Sequence, residues 1–487
     1  MKKRFSCEIM RLIMKNFSRN LLILIALNFL FAGIVEASLV ERINAILAQS
    51  SQKKVEYSIC IVKADTGETL FEHDAKNPLI PASNMKIITT ASALRYLGSD
   101  FIYKTKVGIQ DSNLVIIGSG DPLFGDRTTD EKYDRQPGWI LENIAKSLED
   151  KDVNSIKDII VDTGIFDNEL VHPSWDAKDL NQSWSCEVSG LNYNDNCISV
   201  SLENVNGQIN ITLDPQTSFV TLINNVSAVS TGENTGGAYR NSQPNKLTII
   251  GKCTSRVAPF DVAIQRPAAF FGCVLAEYLH KKGISITGQF IEKVSVNQKG
   301  FEQIAEYKTP ISDCIERCNR DSLNFAAESL MKTIAAYNNP DDCNGSWPRG
   351  AELMGEYLKE LGIDENGFTI DDGCGLSTQD KISAYILIKV LLDVYKSSNW
   401  QMYKQSFAIG GVEGTGPVRK HFKEDEYKGK VLAKSGTITG VNALSGVCVT
   451  TNGDYLFSII TNKIVAGTRD SINDIVKAII DEYDEEE

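Results

Sequence analysis

"IPASNMKIIT", residues 80–89, is the stretch on which the reading of this chain turns. Ser83 is followed three residues later by Lys86, with Pro81 just ahead and a run of helical periodicity behind. Positions i and i+3 share one face of a helix, so the hydroxyl and the amine can meet. A serine hydroxyl is a poor nucleophile unless a base takes its proton, and a lysine one turn away is a candidate base. The start of a helix also offers backbone N–H groups that can hold an oxyanion. On its own the pattern reads as readily as a capping serine followed by a solvated lysine. Ile87, Ile88, Ala91, Leu94 and Leu97 continue it as one apolar stripe, and Gly98 is a natural stop.

Two stretches further along change the weighing. "DSLNFAAESL", 321–330, places Ser322 and Asn324 at the start of a second helical pattern. "LAKSGTITGV", 432–441, places Lys434, Ser435, Gly436 and Thr437 inside a strand pattern. Lys434 on an edge strand can offer a cation to a carboxylate, and Gly436 lets another chain approach the strand closely. Each taken singly is an N-cap or a strand surface.

Around these stretches the chain changes texture. "YSICIVKADTGETLFEH" reads as two strands about an Asp65-Thr66-Gly67 turn, and Asn452-Gly453 marks a hairpin near the C-terminus. Residues 100–260 are dominated by short strand-like runs separated by Gly, Asn and Ser. Helical patterns return from "RPAAFFGCVLAEYLHKKG" onward, and "SINDIVKAIIDEY" reads as a last helix. The expected fold is α+β, with both ends of the chain sharing one antiparallel sheet. Residues 38–99 and 261–487 would form one discontinuous domain, and 100–260 an inserted, mostly β region.

Six basic side chains before residue 20 lead into an apolar run of 15 residues, Leu21–Val35, and "VEA" at 35–37 suits a cut after Ala37. This is the form of a secretory signal, and the run is short of the ~20 residues a membrane-spanning helix needs. The alternative, a retained leader, leaves peripheral membrane association open. Residues 1–37 carry six basic and two acidic side chains of a chain whose formal charge is −13, so the remainder stands at −17. Phosphates would be repelled, which argues against nucleic acid as a partner. Of eleven cysteines, ten follow residue 37, an even number that permits disulfides in an exported chain; Cys314 and Cys318 lie four apart, Cys186 and Cys197 eleven apart. There is no C-x-x-C pair and the four histidines are scattered, so no metal and no cofactor is expected.

The order S-x-x-K, S-x-N, K-[ST]-G is that of the penicillin-interacting serine enzymes. The chain resembles the type-C low-molecular-mass penicillin-binding proteins, the D-alanyl-D-alanine carboxypeptidase/endopeptidase family. The resemblance runs through "PASNMKIITTASAL", "GSGDPLF" at 118–124, "VDTGIF" at 161–166, "SGLNYNDNCISV" at 189–200, "NRDSLNFAAESL", "DDGCGLS" at 371–377, "GGVEGTG" and "KSGTITGV". It implies a penicillin-binding-protein/serine β-lactamase-like transpeptidase core with domains inserted between Ser83 and Ser322. It implies peptidoglycan stem peptides and cross-links as substrates, β-lactams as inhibitors, and a periplasmic setting. Ser83 would be the acylated nucleophile, Lys86 its proton acceptor, and Ser322 the relay to the leaving amine. Asn324 would hold the peptide amide, and Lys434 and Ser435 the terminal carboxylate. The N–H groups of Ser83 and Thr437 would form the oxyanion hole, and Asp162 would meet the amine of the diamino acid; Asp162 reads equally as a turn residue. Cys374 stands where the family has a serine and Thr378 where it has an arginine; "GGVEGTG" lacks the family's leucine after Gly-Thr. A β-lactamase or esterase on this scaffold, or a silent wall-binding or β-lactam-sensing protein, are the competing readings. Carboxypeptidase and endopeptidase preference, disulfide pairing and oligomeric state stay open.

Overall fold

The computed structural model describes residues 37–338, 344–414 and 416–484. The leader expected at 1–37 lies, apart from Ala37, outside the described residues. No described helix is long and apolar enough to cross a membrane.

The central sheet has six antiparallel strands in the order Ala408–Ile409, Val431–Ile438, Val441–Thr450, Gly453–Asn462, Glu56–Lys63 and Thr69–His73. N- and C-terminal segments thus meet in one sheet, as the α+β expectation requires. The register along Glu56–Lys63 shows why these residues make a strand. Tyr57, Ile59 and Ile61 point to one face, where they pack with Ile43, Ile475 and Ile479 from the N- and C-terminal helices Leu39–Leu47 and Thr468–Tyr483. Cys60 and Val62 point to the other face, against Ile87 and Ile88. Successive strand side chains alternate between faces, and here both faces are covered. Burying each of these aliphatic side chains contributes roughly 1.5–3 kcal/mol.

Ile87 and Ile88 belong to the helix Met85–Leu97, which ends at Gly98 with φ 81°. The apolar stripe predicted for it is there, but Met85 to Leu94 are buried on every side. The helix runs between the sheet and a helical layer that includes Asn324–Tyr337 and Trp347–Glu360. Both threonines of this helix are bonded within the core: Thr89 Oγ1 donates to Gly373 O at 2.6 Å and Thr90 Oγ1 to Lys86 O at 2.7 Å.

The inserted region builds two bodies on a shared core. One is a five-stranded sheet in the order Phe290–Lys293, Ile159–Asp162, Asn113–Ile117, Ile102–Gln110, Glu302–Pro310, packed with the helices Trp139–Glu149 and Pro267–Lys281. The other is a pair of three-stranded sheets drawn from residues 197–263. A division at residue 260 cuts through the first body, because Glu302–Pro310 pairs with Ile102–Gln110. We place the return to the core at Pro310–Ile311, where this pairing ends and the helix Ile311–Arg320 begins.

Candidate active site

Three separate segments converge at one edge of the central sheet. Ser83 sits in the 3-10 turn Ala82–Asn84 that leads into Met85–Leu97. Ser322 and Asn324 precede and open the helix Asn324–Tyr337. Lys434 to Thr437 lie on Val431–Ile438. Two non-glycine residues here are left-handed, Ala82 with φ 46° and Ser322 with φ 60°. Such conformations cost about 1–3 kcal/mol each and persist where surrounding structure enforces them, often at reactive sites.

Lys86 is fully buried, not solvated. Its Nζ lies 3.0 Å from Ser83 Oγ, 2.7 Å from Asn324 Oδ1 and 2.9 Å from Cys374 O. All three partners are neutral oxygens. A neutral amine can keep two N–H bonds, to Asn324 and Cys374, and turn its lone pair to the Ser83 hydroxyl. That is the arrangement a base needs to take the serine proton. Asn324 is engaged at both ends of its amide, since Nδ2 donates to Trp184 O at 2.8 Å.

Lys434 is the second buried amine, with Nζ 2.8 Å from Ser322 Oγ and 2.9 Å from Ser435 O. Burial, and then the neighbouring charge of Lys86, push its amine well below the usual lysine range. The two hydroxyls are thus each paired with an amine, Ser83 with Lys86 and Ser322 with Lys434. Ser83, Ser322, Lys434, Ser435 and Thr437 line one cavity of about 180 Å³. The short strand Ala408–Ile409 pairs only with Ala433 and Leu432. Among the described residues, Lys434–Ile438 therefore keeps its outer edge open to an added strand. Gly436 faces the nucleophile turn; a Cβ there would lie 2.9 Å from Pro81 O and 3.0 Å from Ser83 N. Only glycine leaves that gap free for a substrate carbonyl.

The loop "DDGCGLS" is tied down beneath the amines. Asp372 accepts from Gly375 N at 2.6 Å, Ser377 N at 2.7 Å and Trp175 Nε1 at 3.0 Å. Cys374 is fully buried, and burial, Asp372 and Glu328 raise its thiol well above the usual value. Its backbone carbonyl holds Lys86, a role that serine or cysteine fills alike. Glu328, Asp372 and Cys374 place their ligand-type atoms within 4.8 Å of one another, a cluster not foreseen from the sequence. Burial first, then Asp372, lift the Glu328 carboxyl to about 7. This is how three buried acidic groups avoid carrying three charges. Thr378, in place of arginine, is exposed, and its carbonyl accepts from Lys381 Nζ at 3.0 Å.

Asp162 stands apart from this cluster of side chains. Its Oδ1 accepts from Gly164 N at 2.9 Å and its Oδ2 from Val296 N at 2.8 Å. These bonds shape the turn that carries Phe166 and Asp167 towards the helix Asn324–Tyr337. Arg469 is a site residue that the motifs did not reveal. From the C-terminal helix it donates to Thr437 Oγ1 at 2.6 Å and Gly436 O at 3.2 Å, and burial brings its guanidinium down to about 10. The only hint in the sequence is an arginine just after Gly467, at a helix start that disfavours cations.

Comparison with known proteins agrees with this geometry. Residues 39–483 match the D-Ala-D-Ala carboxypeptidase 3 (S13) family. A D-alanyl-D-alanine carboxypeptidase of Actinomadura sp. (strain R39) is 26% identical over 469 residues, covering 91% of this chain and 84% of that protein. The crystal structure of penicillin binding protein 4 from Haemophilus influenzae superposes with a TM-score of 0.76 at 21% identity, covering 91% of this chain and 99% of that one. A predatory peptidoglycan endopeptidase from Bdellovibrio bacteriovorus does so at 0.52 and 16% identity, over 88% and 94% of the two chains. The match of sequence along nearly the whole chain, on a fold that brings the three motifs to one cavity, makes this protein a member of the D-Ala-D-Ala carboxypeptidase 3 (S13) family.

Proposed function

We propose that the protein is an exported serine hydrolase that removes the terminal D-alanine of peptidoglycan stem peptides, or cuts D-alanyl cross-links, through an acyl-enzyme on Ser83. The carrying observation is the Lys86 amine 3.0 Å from Ser83 Oγ with only neutral oxygens around it. The substrate lies as an added strand along Lys434–Ile438. Its terminal carboxylate meets Lys434, Ser435 and Thr437, and the Arg469 guanidinium backs that corner with a positive charge. Ser83 Oγ attacks the penultimate D-alanyl carbonyl as Lys86 takes its proton. The oxyanion is held by the N–H groups of Ser83 and Thr437, on either side of the gap that Gly436 leaves. Ser322, bonded to Lys434, passes a proton to the leaving amine. Water then cleaves the ester. β-Lactams acylate the same oxygen because their strained amide takes the place of the D-Ala-D-Ala bond.

Asn324 positions Lys86, and its occupied amide leaves the contact to the substrate peptide to be made by exchange with Trp184 O. Asp162 serves as an amine partner only if the diamino-acid side chain reaches the turn it shapes. Export to the periplasm, with cleavage after Ala37, completes the reading. The silent-binder alternative is disfavoured by the convergence of all five motif side chains. A β-lactamase would differ in the rate of ester hydrolysis.

The test is D-alanine release from a pentapeptide and cleavage of a cross-linked dimer, by the wild type and by Ser83→Ala. Loss of both activities in the variant is expected. Full activity in Ser83→Ala would overturn the mechanism, and the ratio of the two wild-type rates decides between carboxypeptidase and endopeptidase.

A further inference from the structure

Cys186 and Cys197 carry chemistry that the reaction does not use. Cys186 follows the 3-10 turn Ser183–Ser185 and Cys197 opens the strand Cys197–Val205. Both are thiols, both are buried, and their sulfurs lie 3.3 Å apart. Among the described residues no other two cysteine sulfurs meet, although Cys314 and Cys318 share a helix turn. The pair frames a loop that touches the reaction centre on two sides. Just before it, the Trp184 carbonyl accepts the Asn324 amide at 2.8 Å. Within it, Asp195 faces the Arg317 guanidinium at 3.7 Å, on the helix that leads to Ser322.

We propose that Cys186 and Cys197 are joined by a disulfide in the exported protein, and that this bond fixes the Trp184 carbonyl against Asn324. The proposal rests on the export stated above. The sulfurs need to close by about 1.3 Å to reach bonding distance, a shift that the end of a strand and a short turn can absorb. Oxidation removes two protons and two electrons from the two thiols, and a small-molecule disulfide is the oxidant. One cysteine thiolate attacks the oxidant and expels one thiol. The second cysteine then attacks the mixed disulfide and expels the other, so each oxidant molecule leaves as two thiols. The neighbouring Cys186 sulfur and burial hold the Cys197 thiol protonated once the loop has packed. The exchange therefore belongs to folding, before the pair is enclosed.

The experiment refolds the full chain with either oxidised or reduced glutathione, then denatures it and alkylates it without a reductant. No lysine or arginine lies between the two cysteines, so one tryptic peptide reports on both. The expected result is a peptide without label after oxidative refolding and with two labels after reductive refolding, with Cys314 and Cys318 labelled in both. Two labels after oxidative refolding would overturn the pairing. A second readout is the rate at which a fluorescent penicillin acylates Ser83. The oxidised protein should react about three- to tenfold faster than the reduced one, the scale of one positioning hydrogen bond. A Cys186→Ser/Cys197→Ser double variant should match the reduced rate under both conditions. Equal rates in all samples would overturn the link to Asn324. Absence of any adduct in both redox states would count against the serine acyl-transfer reading instead, and the thiol map would still decide the pairing.

Discussion

Two regions of this molecule bury a lysine completely, and they treat it in opposite ways. At the reaction centre, Lys86 meets a hydroxyl, an amide oxygen and a backbone carbonyl. At the joint between the inserted region and the core, Lys332 meets the Asp167 carboxylate at 2.7 Å and Glu169 O at 2.6 Å, and lies 3.9 Å above the Trp347 ring. Burial lowers the Lys332 amine while the Asp167 carboxylate opposes that shift, and the pair binds two elements together. Lys86 has no carboxylate among its partners, and one of the three neutral oxygens it meets is the Ser83 hydroxyl. On the proposed mechanism, the difference in partners, not in burial, separates the lysine that serves Ser83 from the one that joins two elements.

This contrast is sharpest in the two lysine variants. Lys86→Ala should slow acylation of Ser83 by about 10³- to 10⁴-fold while the chain stays folded, measured by stopped-flow mixing with a chromogenic β-lactam. Lys332→Met should do the reverse. It should lower stability by about 2 kcal/mol in urea unfolding, with a per-molecule acylation rate close to wild type. If Lys332→Met slowed acylation as much as Lys86→Ala, the distinction would fail.

Lys434→Ala should reduce acylation by about 10²- to 10³-fold, because it removes both the partner of Ser322 and the amine at the carboxylate site. A loss expressed only in KM would assign Lys434 to binding alone.

Glu328 gives a pH-dependent test of how the buried charges are shared. Its value in the folded chain, about 7, lies above the ordinary value of ~4.3. Folding therefore favours the protonated form. The stability this provides is present below the unfolded value and is lost as pH rises through about 7. Glu328→Gln cannot ionise, so its melting temperature should gain on that of the wild type as pH rises across this window. A constant difference across it would show that Glu328 is not the proton carrier of the cluster. The smallest effect is expected from Asp162→Asn, a change of less than about threefold in turnover, since the carboxylate serves two backbone amides. A large rise in KM confined to substrates with a free side-chain amine would restore its role in recognition.

What the sequence reveals differs between these regions for physical reasons. Ser83, Lys86, Ser322, Asn324 and Lys434 are legible because reactive groups must sit at fixed offsets on a helix or strand, and those offsets survive as short motifs. The shared sheet is legible because its strands keep period-two and buried apolar patterns. The Lys332–Asp167 joint is not, because each partner is one residue in an unremarkable run and only folding brings them together across 165 positions. The same holds for Arg469 behind Thr437 and for the Glu328–Asp372–Cys374 cluster. The boundary at 260 misled because Glu302–Pro310 looks like any edge strand, and its partner lies some 200 residues earlier. Composition marks where texture changes, not which strands pair.

The most direct test of the central claim is to label the wild type and Lys86→Ala with a fluorescent penicillin and to map the modified peptide by mass. The account predicts a stable adduct on Ser83 in the wild type and its near-complete loss in Lys86→Ala. An adduct on another residue, or labelling of Lys86→Ala at the wild-type rate, would contradict it.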